Sequence, residues 1–451
     1  MKGLVRTTAA ATVSLAALLA AGAASASSFS IRSGQGAEGL GMAYAGAAAG
    51  GVGMSSMAWN PATITMFPGR TSQWNFTYLL PQGEYKPTTG TRVMTSPVTS
   101  VPNTVLGGSP LGTGPIGGDG AFIPASYSAW QLTDRFWIGL TTGAPFGMRS
   151  KADNTFHAAQ TYGRSAKVRS INVSPTIGYQ VNDWLSIGAA LQVQYFKADL
   201  KQATGLRATA GNAILDGDTV DFGYRFGVNL TPWQGTNIGI AYRSSIRQTL
   251  EGTLAGTPGL PPVLPVKANL NLPDSVVFGV SQVINEQWQA HLGVEWTNWS
   301  RFRRIPIVSR ISGQPLSSLN FVYDDSWYFA AGVEYKYNPD LTLRAGVGYE
   351  LSAVNDTNRT IYISDNDRLW LSAGMSYKFS EKINLDLGYT YIHINKARVN
   401  YNPAHPQFSP AAPVIYSAEA KPQVHVLSAA LTYRWDNPAE TIPVQPVVRK
   451  Y

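Results

Sequence analysis

Residues 220–230 read VDFGYRFGVNL. Val220, Phe222, Tyr224, Phe226, Val228 and Leu230 fall on one face of an extended chain. Asp221, Gly223, Arg225, Gly227 and Asn229 fall on the other. A period of two is the mark of a β-strand with one apolar and one polar face. Strands of soluble sandwiches usually keep it for about five or six residues. Here it runs for eleven, the length that crosses a bilayer at a tilt.

The pattern recurs. Leu185, Ile187, Ala189, Leu191, Val193 and Tyr195 oppose Ser186, Gly188, Ala190, Gln192 and Gln194. Trp288–Trp296 and Leu341–Tyr349 alternate in the same way. Each apolar face ends in an aromatic residue, as the girdle of a membrane barrel requires. Strands are expected near 71–80, 121–132, 135–146, 167–181, 184–197, 218–231 and 236–249. Seven more are expected near 267–282, 286–299, 326–337, 340–350, 367–379, 382–395 and 423–435. Every second link is tight: TD at 133–134, ND at 182–183, WQG at 233–235, NE at 285–286, NPD at 338–340 and SEK at 380–382. The links between them are long, such as 81–120, 250–266, 300–325 and 396–422. An even strand number with short turns on one side and long loops on the other is outer-membrane topology. The expected fold is all-β, a transmembrane 14-stranded antiparallel β-barrel over residues 70–435.

The chain opens MKGLVRTTAAATVSLAALLAAGAASASSFS. A basic start at Lys2 and Arg6, a short Ala-rich apolar core and Ala24-Ser25-Ala26 read as a secretory signal peptide, residues 1–26. A membrane anchor would need about 20 apolar residues. GQGAEG (34–39) has the G-x-G-x-x-G spacing of a dinucleotide loop, but no buried strand fits between the cleavage site and Gly34. No nucleotide or other cofactor is expected. Cleavage leaves 33 of the 35 basic residues against 27 acidic ones, net +6, and only 14% of the chain is charged. That is not the dense basic surface of a nucleic-acid binder. The chain has no cysteine, and its five histidines lack metal-ligand spacing, so no metal site is expected.

Residues 27–69 do not alternate. They are rich in Gly and Ala and almost uncharged. A fourteen-strand barrel encloses a lumen too wide for its own side chains to fill. These residues are therefore expected to fold into it as a hatch, with glycines allowing close packing. The alternative is a disordered tail, which would leave Met57, Trp59, Ile64, Met66 and Phe67 in water. Residues 436–451 are expected to hang into the periplasm as a Pro-rich tail.

The stretches GLGMAYAGAAA (39–49) and WNPATITMF (59–67), with the triplet Asn60-Pro61-Ala62, resemble the hatch of the outer-membrane long-chain fatty acid transporter family (FadL). The resemblance continues in IAYRSSIRQTLEG (240–252), LGVEWTNWSRF (292–302), DRLWLSAGMSYKF (367–379) and LDLGYTYIHI (385–394). It implies passive uptake of hydrophobic molecules across the outer membrane. Extracellular loops capture them, and a gap made by a kink in the third strand releases them sideways. That strand reads RFWIGLTTGAPFGMRS (135–150), and Gly143-Ala144-Pro145 would mark the break. Proline in a sheet is confined to edges and bulges. The other reading is that the strand ends there and a loop begins.

By alternation Arg225, Arg243, Arg247, Arg344, Lys336, Glu295 and Glu334 face the lumen, where they pair with one another, hold the hatch, or meet a substrate carboxylate. The family's basic head-group partners fall near Gln202 and Pro306, neither of them basic. Lys201, Arg303 and Arg304 lie close by, and with Arg225, Arg243 and Arg247 complete the candidate set. The departure leaves room for neutral aliphatic or aromatic hydrocarbons as substrates. A general porin would normally lack the plug. A barrel lipase would need a Ser–His–acid arrangement, for which His291 and His425 are the candidates. The expected partners are a hydrophobic small molecule and the surrounding lipid and lipopolysaccharide, with the chain as a monomer.

Overall fold

The computed structural model describes residues 32–96, 99–102, 114–115, 120–151, 159–205, 210–363, 365–408 and 414–436. The expected signal peptide, residues 27–31 of the expected hatch, His157 and the expected tail after Asp436 lie outside the described residues. Fourteen antiparallel strands form the wall: β1 Arg70–Gln82, β2 Ala121–Thr133, β3 Phe136–Gly143 resuming as Gly147–Lys151, β4 Ser165–Asn182, β5 Leu185–Ala203 and β6 Asn212–Leu230. β7 runs as Thr236–Arg243 and Ile246–Ala255, and β8 as Val263–Leu272 and Ser275–Val283. β9 Trp288–Thr297, β10 Ser326–Lys336, β11 Leu341–Leu351, β12 Arg368–Lys378, β13 Ile383–Ile394 and β14 Gln423–Arg434 complete it. β1 pairs with β14 from Thr71↔Arg434 to Gln82↔Gln423, which closes the barrel. Closure leaves no sheet edge in lipid, where an unpaired backbone group costs several kcal/mol.

Alternation sets the two faces. Phe222, Tyr224, Phe226, Ile187, Leu191 and Ile177 stand exposed on the outside. Trp184, Trp233, Tyr337, Phe379 and Trp435 form an exposed aromatic rim at the short turns. Above the opposite rim β5 and β6 rise well past the expected strand ends, because the long links begin as continuations of the wall. A second, smaller sheet of short strands from the loops at 84–115 and 397–420 covers that end. Its core gathers Tyr85, Tyr162, Tyr401 and Tyr416.

Inside the barrel, residues 32–67 fold as short helical turns: Arg32–Gly34, Ala37–Leu40, Ala47–Ala49, Gly53–Ala58 and Pro61–Met66. They press on the wall where the wall has no side chain. A Cβ at Gly239 would lie 1.8 Å from the Ala48 carbonyl oxygen, and one at Gly188 2.4 Å from the Pro61 carbonyl carbon. Gly346 and Gly388 meet the backbone of Met42 and Ala37 just as closely. The polar side of the 220–230 strand supplies the strongest clasp. Gly227 gives room to the Asn60 side chain, which Val228 and the hatch hold by hydrogen bonds. The Asn60 Nδ2 donates to the carbonyls of Ala48 at 2.7 Å and Val228 at 2.9 Å. Its Oδ1 accepts from the Ala62 N–H at 2.9 Å and so caps the turn that Pro61 starts. Asn60 is fully buried.

Two outcomes follow. Cysteines placed at Asn402, in a long loop, and Asp183, in a short turn, should differ in intact cells: an impermeant thiol reagent labels the first and spares the second. The reverse pattern would invert the topology. Asn60→Ala takes a donor from the Ala48 and Val228 carbonyls and uncaps the turn, at about 1–3 kcal/mol for each group left unmet. Ion leak through the purified protein in planar bilayers should rise above wild type while the barrel stays folded. An unchanged leak would show that Asn60 does not hold the hatch.

Candidate functional site

The third strand is interrupted. β3 pairs with β2 only as far as Thr142↔Ser126, and with β4 as far as Gly143↔Asn172. It resumes at Gly147↔Arg169, against β4 alone. Above Ser126, β2 therefore has no partner on the β3 side, and the wall carries a seam. The strand stops three residues short of the expected 146, because Pro145 has no N–H and the chain turns inward at Ala144. Ser170 takes up the freed groups of the bend. It donates to the Phe146 carbonyl at 2.6 Å and accepts the Phe146 N–H at 2.8 Å. Pro124 sits on β2 across the seam, a second residue without a ladder donor.

A cavity opens beside this break. It is lined by Gly143 and Pro145 of the wall, Gln35 and Trp59 of the hatch, and Arg225 and Arg243. Nearer the outer surface a second space is almost wholly apolar, walled by Phe196, Leu250, Leu270, Phe302, Ile305 and Phe321. Phe146 links the two. It belongs to the upper apolar cluster, edge-on to Trp299 at 6.3 Å, and its ring carries the Arg243 guanidinium at 5.1 Å.

Three cations line the lower cavity, with Glu295 among them, and they differ in employment. Arg225 donates to the Ala58 carbonyl, to Ser174 Oγ at 2.7 Å and to Thr141 Oγ1 at 3.2 Å, so it pins the hatch to β3 and β4. Arg32 of the hatch is paired with Glu295 and lies 3.9 Å over the Tyr328 ring. Arg243 has no carboxylate within ion-pair distance among the described residues; its recorded contact is the face of Phe146.

The other candidates lie elsewhere. Lys201, Arg303 and Arg304 are exposed at the outer end. Arg247, expected in the lumen by alternation, is exposed instead. β6 pairs Arg225 with Arg243 but Ile214 with Ala255, a shift of one residue at Ser244-Ser245. Such a slip sends every later side chain to the opposite face. Ile246, Gln248 and Leu250 therefore point inward. Pro124 was readable from its place inside an alternating segment. Phe146, Ser170 and Trp299 were not, since only the bend in β3 brings them to the cavity.

His291 does meet a serine and an acid. Its Nδ1 lies 2.9 Å from Ser281 Oγ, and its Nε2 lies 3.1 Å from Glu334 Oε1. The hatch seals this trio: a Cβ at Gly51 would lie 2.4 Å from Nδ1, and Ser281 and His291 are each 1% exposed. Glu334 also pairs with Arg344 at 3.1 Å, which makes the group part of the hatch seat. His425 faces outward and meets the Tyr389 hydroxyl at 2.9 Å.

The family described as "Outer membrane protein transport protein (OMPP1/FadL/TodX)" matches residues 17–435. The long-chain fatty acid transport protein of Escherichia coli O6:H1 is 27% identical over 399 residues, spanning 80% of this chain and 85% of that one. Outer membrane protein P1 of Haemophilus influenzae is 27% identical over 414 residues, 84% and 88% of the two chains. Among solved structures, a Pseudomonas aeruginosa FadL homologue superposes with a TM-score of 0.78 at 22% identity, covering 90% of this chain and all of that one. The Ralstonia pickettii toluene transporter TbuX does so at 0.63 and 18% identity, over 90% and 99%. The closed barrel, its internal hatch and a match over nearly the whole chain lead to one conclusion: this is an outer-membrane transport protein of the FadL/TodX family.

Proposed function

We propose that the protein admits hydrophobic molecules bearing an acidic head group, long-chain fatty acids foremost, and releases them sideways into the membrane. Arg243 carries this reading. A guanidinium outside ion-pair distance of every described carboxylate, at a cavity whose own Glu295 is already paired with Arg32 and that adjoins both an apolar chamber and the seam in the wall, is a receptor for an incoming carboxylate. The tail is drawn first into the apolar space under the outer loops. The molecule then passes Phe146, sets its head group on Arg243 and leaves between β2 and β3 at Gly143-Ala144-Pro145. The hatch, clasped at Asn60-Pro61-Ala62, closes the way straight down. Transport is passive. Support comes also from the relatives named as fatty acid transport proteins. The second reading, uptake of neutral aliphatic or aromatic hydrocarbons, draws on the upper chamber, which no cation lines.

Two substitutions separate these steps. Arg243→Met should lower fatty acid uptake by whole cells about tenfold to a hundredfold, the worth of one charged hydrogen-bonded contact. Uptake of an alkane of equal chain length should hardly change. Equal loss for both, or loss for neither, would remove the carboxylate from the account. Gly143→Val with Pro145→Thr restores a backbone donor and two strand-favouring side chains. The new Cβ at Gly143 meets only the end of the flexible Gln35 side chain, at 3.2 Å. The barrel should fold as well or better and still bind ligand, yet uptake should fall sharply. Transport at the original rate through the repaired wall would rule out this exit.

A further inference from the structure

Above the lipid belt, the outward face of β3, β4 and β5 changes character. The apolar series Ile187, Leu191 and Tyr195 on β5 gives way to Lys197, Asp199 and Lys201. On β4, Tyr179, Ile177 and Ile171 give way to Arg169 and Lys167. Lys197 stands twelve residues from the short turn at Leu185, about 30 Å up the axis for a rise of about 3.3 Å and a tilt of about 40°. The apolar band of such barrels is about 25 Å tall, so Lys197 and Arg169 stand at its outer border.

The cross-strand register makes this group unusual. Arg169 lies directly opposite Lys197, and Arg149 directly opposite Lys167. Like charges opposite one another in a sheet are destabilising. Among the described residues Lys167, Arg169 and Lys197 have no carboxylate within ion-pair distance, and the Arg169 Nε is buried without an acceptor. Gly147 is the partner of Arg169 on its other side and contributes no side chain. The result is a basic patch centred on Lys167, Arg169 and Lys197, with Arg149 beside it on β3. Among the described residues the carboxylates across the ladder are Asp199, opposite Lys167, and Asp218, opposite Lys197. Asp216, beyond Asp199, already takes the Thr253 hydroxyl at 2.6 Å.

We infer that Arg149, Lys167, Arg169 and Lys197 form a binding site on the outside of the barrel for the phosphate groups of lipopolysaccharide. The charge calls for an anion, the position above the apolar belt calls for a membrane headgroup, and the outer leaflet supplies a phosphorylated one. This site stands apart from the transport path and does not depend on the substrate proposed above.

The test uses the full chain purified in detergent, with lipid A carrying both phosphates and with its dephosphorylated form as probes. Wild type should prefer the phosphorylated probe by about tenfold or more, since several cations at the headgroup level each favour an anionic lipid. Lys167→Gln, Arg169→Gln and Lys197→Gln together should erase the preference, whereas Lys167→Arg with Lys197→Arg should keep it. Lys336→Gln with Lys378→Gln, at the opposite rim, should leave it intact. If the triple variant fails to fold, Arg169→Gln alone gives the same reading at a smaller scale. No preference in wild type, or a preference that survives the triple change or falls equally with the Lys336 and Lys378 changes, would overturn the assignment.

Discussion

The hatch can sit in this barrel only where wall and plug meet backbone to backbone. At Gly239, Gly188, Gly346 and Gly388 a single methyl group would collide with hatch atoms at 1.8 to 2.4 Å. Those glycines lie on lumenal faces of strands whose other faces are apolar across the lipid belt, so they weaken the strand locally without weakening its fit to lipid. Close approach then lets Asn60 and Arg225 reach hatch carbonyls and the wall together. With the lumen filled, ions and water lose the direct route, and the remaining space is the cavity between hatch and wall.

A filled lumen also gives the seam its meaning. Lipid cannot satisfy unpaired backbone groups, so a gap in a membrane barrel needs local substitutes. Here Pro145 and Pro124 remove donors, Ser170 absorbs both polar groups of Phe146, and the Ser126 and Thr142 hydroxyls meet at 2.7 Å. The opening is thus built at low cost, and it lies beside Arg243 and the hatch. An apolar chamber above, a cation at the turn and a seam to the side are the features on which the proposed path for an amphiphile rests.

Much of this was readable in the sequence, and the reasons are physical. A period of two maintained over eleven residues admits few solutions, and alternating link lengths count the strands independently. The hatch was readable as a segment that fails to alternate yet holds Trp59 and Ile64. The site was less so. Arg247 was misplaced because a one-residue slip at Ser244-Ser245 leaves no mark in the alternation until the pairing is known. Arg225 and Arg243 look alike in sequence. One is spent on the hatch and the other faces the cavity, a distinction set by three-dimensional packing around Ala58 and Phe146.

The measurement that tests the central claim most directly is a structure of the protein soaked with a terminally brominated fatty acid. The account predicts the carboxylate on Arg243 and the bromine signal along the line from the apolar chamber to the seam between β2 and β3. A chain threading between the hatch and the wall toward the short-turn end, with Arg243 empty, would contradict it.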